Sequence, residues 1–152
     1  MSWTSVLIQF LNGLAGASSL FLVAAGLSLI FGVTRVVNFA HGSLYMLGMY
    51  LAVWLAERVG FWAAVPLAAA SVGVLGVLIE ILLLRRIYKA PELLQLLTTF
   101  ALVLVIKDAA LWAWGPEDLL GPRVPGFAGA VAISGGAFPQ YDVLLILLGP
   151  LV

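Results

Sequence analysis

The polar side chains of Arg35, Asn38 and His41 interrupt a long apolar stretch at positions i, i+3 and i+6. On a continuous helix this spacing would place all three roughly on one face. Glycines on either side, Gly32 and Gly42, argue against a continuous helix. We therefore predict a break here. It is either a discontinuous membrane helix whose free backbone groups line a substrate path, or a capped turn at a membrane interface.

Asn38 and His41 are the side chains at this break that could bind or orient another group. Asn38 is predicted to be the N-cap of a helix that starts at Phe39. His41 is the only histidine and the chain has no cysteine, so the three or four ligands of a metal site are not expected. We expect a structural histidine that is hydrogen-bonded at the helix start. The alternatives are a proton carrier, or a general base acting with Ser43 in an intramembrane enzyme.

Three further charged residues lie in or near apolar stretches. Glu80 lies inside the third apolar run, near its end, where a carboxylate usually has a partner. We expect it to pair with Arg85 or Arg86 at the cytoplasmic end. Lys107 and Asp108 are adjacent, so on a helix they point about 100° apart. Lys107 is expected to snorkel to the outer interface, and the alternative is a buried polar contact with another helix or subunit.

The composition decides the class of protein in which these side chains act. Of 152 residues, 64% are hydrophobic and only 9% are charged, against about 25% charged in a typical soluble domain. This excludes an ordinary cytosolic enzyme and a disordered chain. Seven basic residues balance seven acidic ones, so no basic field for nucleic acid exists. The remaining class is an integral membrane protein built from helices.

The charged residues divide the chain into apolar segments, each of which can be compared with the roughly 20 residues that span a bilayer. The predicted fold is an all-α, polytopic transmembrane helix bundle. It has about four full spans and the start of a fifth, at about 6–33, 39–56, 61–84, 93–114 and 143–152. An outer loop, rich in proline and glycine, is predicted over 115–142. We expect the chain to be a fragment that stops inside its fifth span.

The distribution of positive charge predicts the orientation, because cytoplasmic loops are enriched in Lys and Arg. One side of the membrane would hold Arg35, Arg85, Arg86 and Lys89. The other side would hold fewer cations and several carboxylates, namely Arg58, Arg123, Glu57, Glu117, Asp118 and Asp142. This puts the loop around Arg85 in the cytoplasm and the N-terminus on the periplasmic side.

Several motifs resemble the N-terminal half of branched-chain amino acid ABC transporter permeases. The most specific is Asn38-Phe39-Ala40-His41-Gly42 after an apolar helix. The others are Asn12-Gly13, the run from Ala25 to Val37, Tyr45-Met46-Leu47-Gly48, Ile79-Glu80, the Arg85 loop and Leu97-Thr98-Thr99. The chain departs from the family at Ala17, Leu20, Arg86 and Lys107-Asp108, which leaves the exact substrate open.

The resemblance implies that residues 1–152 form one transmembrane permease domain, truncated at its C-terminus, in the inner membrane of a bacterium. It implies a second related permease, two ATP-binding cassette ATPase subunits and a periplasmic binding protein as partners. No cofactor, metal or nucleic acid is expected, and the chain is not expected to be an enzyme. The sequence has no G-x-x-x-x-G-K-[ST] motif, so nucleotide would bind to another subunit.

The expected function is therefore that of a permease subunit for branched-chain amino acids or a related small polar solute. Asn38, His41 and Gly42 are the candidate site, with a role in shaping the helix break or orienting substrate rather than in catalysis. One alternative is an ion-coupled secondary transporter that uses Glu80 or Asp108 as its membrane carboxylate. Another is a non-functional half-permease.

Overall fold

The computed structural model describes residues 3–117, 119–122, 124–127, 129–133 and 136–151. The described elements are α1 (Trp3–Thr34), α2 (Ala40–Val59), α3 (Phe61–Ile87), α4 (Glu92–Trp114), β1 (Ala130–Ile133), β2 (Gly136–Pro139) and α5 (Gln140–Leu148), which a 3₁₀ turn (Gly149–Leu151) follows. Asp118 and Arg123, which enter the predicted orientation, lie outside the described residues, as does Val152.

Among the described residues, three helices are long and apolar enough to cross a membrane: Trp3–Thr34, Phe61–Ile87 and Glu92–Trp114. Such segments become helical because a helix satisfies its backbone groups internally where no water is present. The predicted all-α fold is therefore confirmed. At 20 residues α2 is also long enough, but His41 and the Glu57-Arg58 pair lower its hydropathy. Its crossing of the membrane stays a prediction.

The second helix is longer than the sequence predicted, since it ends at Val59 rather than at residue 56. Arg58 stays helical because its side chain finds partners one turn earlier. Its Nη1 donates a hydrogen bond of 2.7 Å to the Trp54 carbonyl oxygen. Its guanidinium also lies 3.7 Å from the centroid of the Trp54 ring, a favourable cation–π geometry. The chain leaves the helix at Gly60, where φ is 84° and ψ is 157°.

The segment 115–142, which we predicted to be a loop, contains regular structure. Strands β1 and β2 form an antiparallel hairpin in which Ala130 faces Pro139. Helix α5 begins at Gln140, three residues earlier than predicted, and the Gln140 N–H donates a 3.1 Å hydrogen bond to the Gly129 carbonyl oxygen. This bond joins the start of the helix to the residue before β1, which local sequence periodicity does not reveal.

The chain divides into two compact units, Leu29–Pro122 and the pair of segments Met1–Ser28 with Arg123–Val152. In the first unit α2 packs against α3 and α4, and alanines at the contacts are fully or almost fully buried, at positions 40, 64, 68 and 110. In the second unit the 3₁₀ turn after α5 approaches α1 closely. A Cβ on Gly149 would lie 2.8 Å from the Cβ of Ser18, so only glycine fits there.

We predict that Gly60→Ala lowers the free energy of unfolding by about 1–3 kcal/mol, because its backbone conformation is one that residues with a side chain rarely adopt. Gly73→Ala is the matched control. Gly73 is helical with open space around it, so alanine should leave stability unchanged or raise it by up to about 1 kcal/mol. Thermal unfolding in detergent micelles, followed by circular dichroism, measures both. If Gly60→Ala were as stable as the wild type, the backbone conformation at residue 60 would not require glycine.

Candidate functional site

The predicted break between the first two helices is confirmed, since α1 ends at Thr34 and α2 begins at Ala40. Arg35 has a φ of 53°, a left-handed conformation that costs a non-glycine residue about 1–2 kcal/mol. The hydroxyl of Thr34 bonds to the backbone of α1 and to the backbone within the break. It donates to the Ile30 carbonyl oxygen at 2.9 Å and accepts from the Val36 N–H at 3.3 Å. The chain turns sharply here instead of continuing α1.

Asn38 closes the start of the second helix. Its Oδ1 accepts a 3.0 Å hydrogen bond from the Ala40 N–H, and its backbone carbonyl accepts one of 3.2 Å from the His41 N–H. Its side chain is 7% exposed. The predicted N-cap is wrong by one residue, because α2 begins at Ala40 and its N-cap is Phe39, which makes no side-chain capping bond. Asn38 lies one residue before the cap and still supplies a side-chain acceptor to the first N–H of the helix.

A cavity of about 350 Å³ lies beside this break. Most of its wall is aliphatic, and its polar side chains come from both sides of the break and from the end of α3. The lining residues are Leu29, Ile30, Val33, Thr34, Val36, Asn38, Leu44, Gly76, Ile79, Glu80, Leu84 and Tyr88. The volume falls within the range of about 300–1,000 Å³ that is typical of small-molecule sites.

Glu80 reaches this cavity from a π-helical turn, Glu80–Leu84, that interrupts α3. Single π turns are rare and occur frequently at functional sites. The hydrogen-bond partner of Glu80 is Tyr88 rather than the predicted Arg85 or Arg86: the Tyr88 hydroxyl donates to Glu80 Oε2 at 2.5 Å. The carboxylate is half-buried, so the hydroxyl meets part of the need for polar contacts that burial imposes.

Tyr88 is held over Glu80 by the turn between α3 and α4. The side-chain amide of Gln95 donates to the carbonyl oxygens of Tyr88 and Ala90, at 3.3 and 2.9 Å. Burial raises the pKa of Tyr88 to about 12, with further increases from the hydrogen bond and from the charge of Glu80, while Arg85 acts in the opposite direction. Sequence reasoning singled out Glu80 but missed Tyr88, which is eight residues away and has no periodic relation to it.

The structure brings Asn38 together with Thr34, Glu80 and Tyr88, not with the other predicted site residues. His41 is half-buried and Gly42 is exposed, and neither lines the cavity. Both residues lie in the first turn of α2, directly after the break. The charged pair Lys107 and Asp108 is exposed on α4. Among the residues the structure describes, no cluster of three or more His, Cys, Asp or Glu could hold a metal ion.

Long apolar helices of membrane-spanning length, with a partly open, mainly apolar cavity at a helix break, are typical of an integral membrane protein. Comparison with known proteins gives the family. The family model described as branched-chain amino acid transport system / permease component matches residues 9–149. The chain belongs to that family, which is one of transport permeases and not an enzyme class.

Curated relatives are bacterial permease proteins of high-affinity branched-chain amino acid transport systems. LivH of Escherichia coli (strain K12) is 26% identical over 130 residues, which cover 76% of this chain and 41% of LivH. BraD of Pseudomonas aeruginosa is 28% identical over 153 residues, which cover 92% of this chain and 50% of BraD. The chain thus spans about half the length of the curated relatives it matches. No solved structure matches it.

We predict that Asn38→Ala lowers the free energy of unfolding by about 1–2 kcal/mol, because the Ala40 N–H loses its side-chain acceptor at a buried helix start. Asn38→Ser offers a hydroxyl oxygen to the same N–H and should recover part of this loss. Chemical unfolding in mixed micelles measures both variants. An Asn38→Ala variant with wild-type stability would show that the acceptor does not hold the break.

The Tyr88 phenol should titrate with a midpoint near pH 12, and Glu80→Gln should move the midpoint downwards by removing the carboxylate charge. Because the fold favours the protonated phenol, its contribution to stability is complete below pH 10 and is lost as pH rises towards 12. Ultraviolet difference titration of the wild type against Tyr88→Phe isolates this phenol from the other tyrosines. A midpoint at the ordinary value of 10 would contradict the hydrogen bond between the Tyr88 hydroxyl and Glu80.

Proposed function

We propose that this chain is part of a permease subunit that moves branched-chain amino acids across the inner membrane of a bacterium. The family match over residues 9–149 carries the proposal. The relatives LivH and BraD are permease proteins of high-affinity branched-chain amino acid transport systems. The three apolar helices supply the membrane part, and the cavity beside the break supplies a place for a small solute.

The energy for transport comes, in this proposal, from other subunits. The sequence has no P-loop motif, so two ATP-binding cassette ATPases would bind the nucleotide. A second related permease would complete the pathway, and a periplasmic binding protein would deliver the solute. Nucleotide-driven transport works by differential binding to two conformations of the permease.

The proposed orientation has a periplasmic N-terminus and cytoplasmic cations at Arg35, Arg85, Arg86 and Lys89, in accord with the positive-inside rule. The break after α1 and the π turn of α3 then both lie towards the cytoplasm. Asn38 shapes the break and borders the cavity. His41 and Gly42 would form the first turn of the helix that moves with it.

Uptake of radiolabelled L-leucine into proteoliposomes tests this proposal. The gene is expressed in full together with a second permease, two ATPase subunits and a periplasmic binding protein of the same proposed transporter, and the purified complex is reconstituted. Uptake should require ATP and the binding protein. Asn38→Ala should lower it about tenfold and His41→Ala by less, while Val74→Ala, on an exposed part of α3, should match the wild type.

Two results would contradict the proposal in different ways. Uptake that persists without any ATPase subunit, and that follows an ion gradient, would favour the secondary transporter with Glu80 as its carboxylate. Unchanged uptake and assembly in both Asn38→Ala and His41→Ala would remove these residues from the site while leaving the transporter class intact.

A further inference from the structure

The cavity at the helix break combines two kinds of surface that few ligands match together. One wall is aliphatic and is formed by Leu29, Ile30, Val33, Ile79 and Leu84. The polar part is formed by a carboxylate, a phenol and a carboxamide. A ligand for this cavity needs a branched or straight hydrocarbon chain at one end and compact polar groups at the other.

The carboxylate of Glu80 decides the charge of those polar groups. An ionised carboxylate has about four acceptor positions on two oxygens, and the Tyr88 hydroxyl occupies one of them. Most of the cavity around this carboxylate is lined by aliphatic residues, and a negative charge without a partner is costly in apolar surroundings. A primary ammonium, with three N–H donors and a positive charge, satisfies these positions and neutralises the charge.

Asn38 supplies the complementary donor. Its Oδ1 is occupied by the Ala40 N–H, and its side chain is more than nine-tenths buried. Within the part of the chain that the structure describes, its Nδ2 amide donates no hydrogen bond. Because Asn38 lines the cavity, this donor is available to an oxygen of a bound molecule, such as one oxygen of a carboxylate.

We propose that the cavity binds an α-amino acid with an aliphatic side chain, its ammonium on Glu80, its carboxylate on Asn38 and its side chain against the aliphatic wall. This rests on the proposed permease function and adds the residues and the polar groups that select the solute. Urea, amides and sugars carry no positive charge for Glu80, so the site selects against them.

Binding of radiolabelled L-leucine to the purified transporter complex without its binding protein, by scintillation proximity in detergent micelles, tests the assignment. Glu80→Gln should weaken binding about 10- to 100-fold, because a charge-assisted contact is lost. Gln still offers an oxygen to the Tyr88 hydroxyl, so the local fold is kept. The matched control is Glu57→Gln, an exposed carboxylate in α2, which should bind leucine like the wild type.

Competition for leucine binding to the wild-type complex tests, without any variant, whether the ammonium is the group that Glu80 binds. Isoamylamine keeps the ammonium and a branched chain, whereas 4-methylpentanoate keeps the chain and the carboxylate. Isoamylamine should displace leucine at lower concentration, and urea should not displace it. Equal competition by the amine and the acid, or an absence of leucine binding to the wild type, would overturn the assignment.

The uptake assay on the same variants separates this inference from the proposed function. If the wild-type transporter imports leucine and Glu80→Gln binds and imports it equally well, the cavity assignment is overturned and the permease function stands. If leucine binds in a Glu80-dependent way but ATP-driven uptake never occurs, the permease function fails and the amino-acid site remains.

Discussion

Backbone N–H and C=O groups that are removed from water have to find partners within the protein, and in a bilayer a continuous helix is the simplest way to provide them. Between α1 and α2 the helix stops, and side chains take over this task. The Thr34 hydroxyl bonds to the Ile30 carbonyl oxygen and the Val36 N–H, and the Asn38 side chain accepts from the Ala40 N–H at the start of α2. The geometry of the cavity depends on these few bonds, because they fix where the chain turns.

At the end of α3, too, a polar group is satisfied by a contact with one side chain. A π turn alters the helix register just before the cationic loop, and the turn into α4 places the Tyr88 hydroxyl on Glu80. A carboxylate, a phenol and a buried carboxamide thereby border one mainly aliphatic cavity. Each of these groups would be costly in an apolar environment by itself. The proposed amino-acid ligand would supply polar partners to this part of the cavity.

The sequence predicted those features that depend on local composition. Charged residues and glycines located the helices and the break, and Asn38 was assigned to a helix start from its residue type. The sequence did not predict the end of α2, because Arg58 stays helical through its contact with the Trp54 ring. Nor did it predict the Glu80–Tyr88 bond, which needs a π turn and a chain reversal. The hairpin was missed because strand pairing joins two segments that carry no shared local signal.

Cysteine labelling in membranes tests most directly whether the break holds open a cavity that water and small solutes enter. The chain has no native cysteine, so a single introduced thiol reports alone. Leu44 lies in the cavity wall. Val74 lies on the outer surface of α3, a candidate membrane span, where lipid would surround a thiol. A water-soluble, charged thiol reagent should modify Leu44→Cys much faster than Val74→Cys, and L-leucine should slow that reaction. Equal rates at the two positions, with no effect of leucine, would contradict the account.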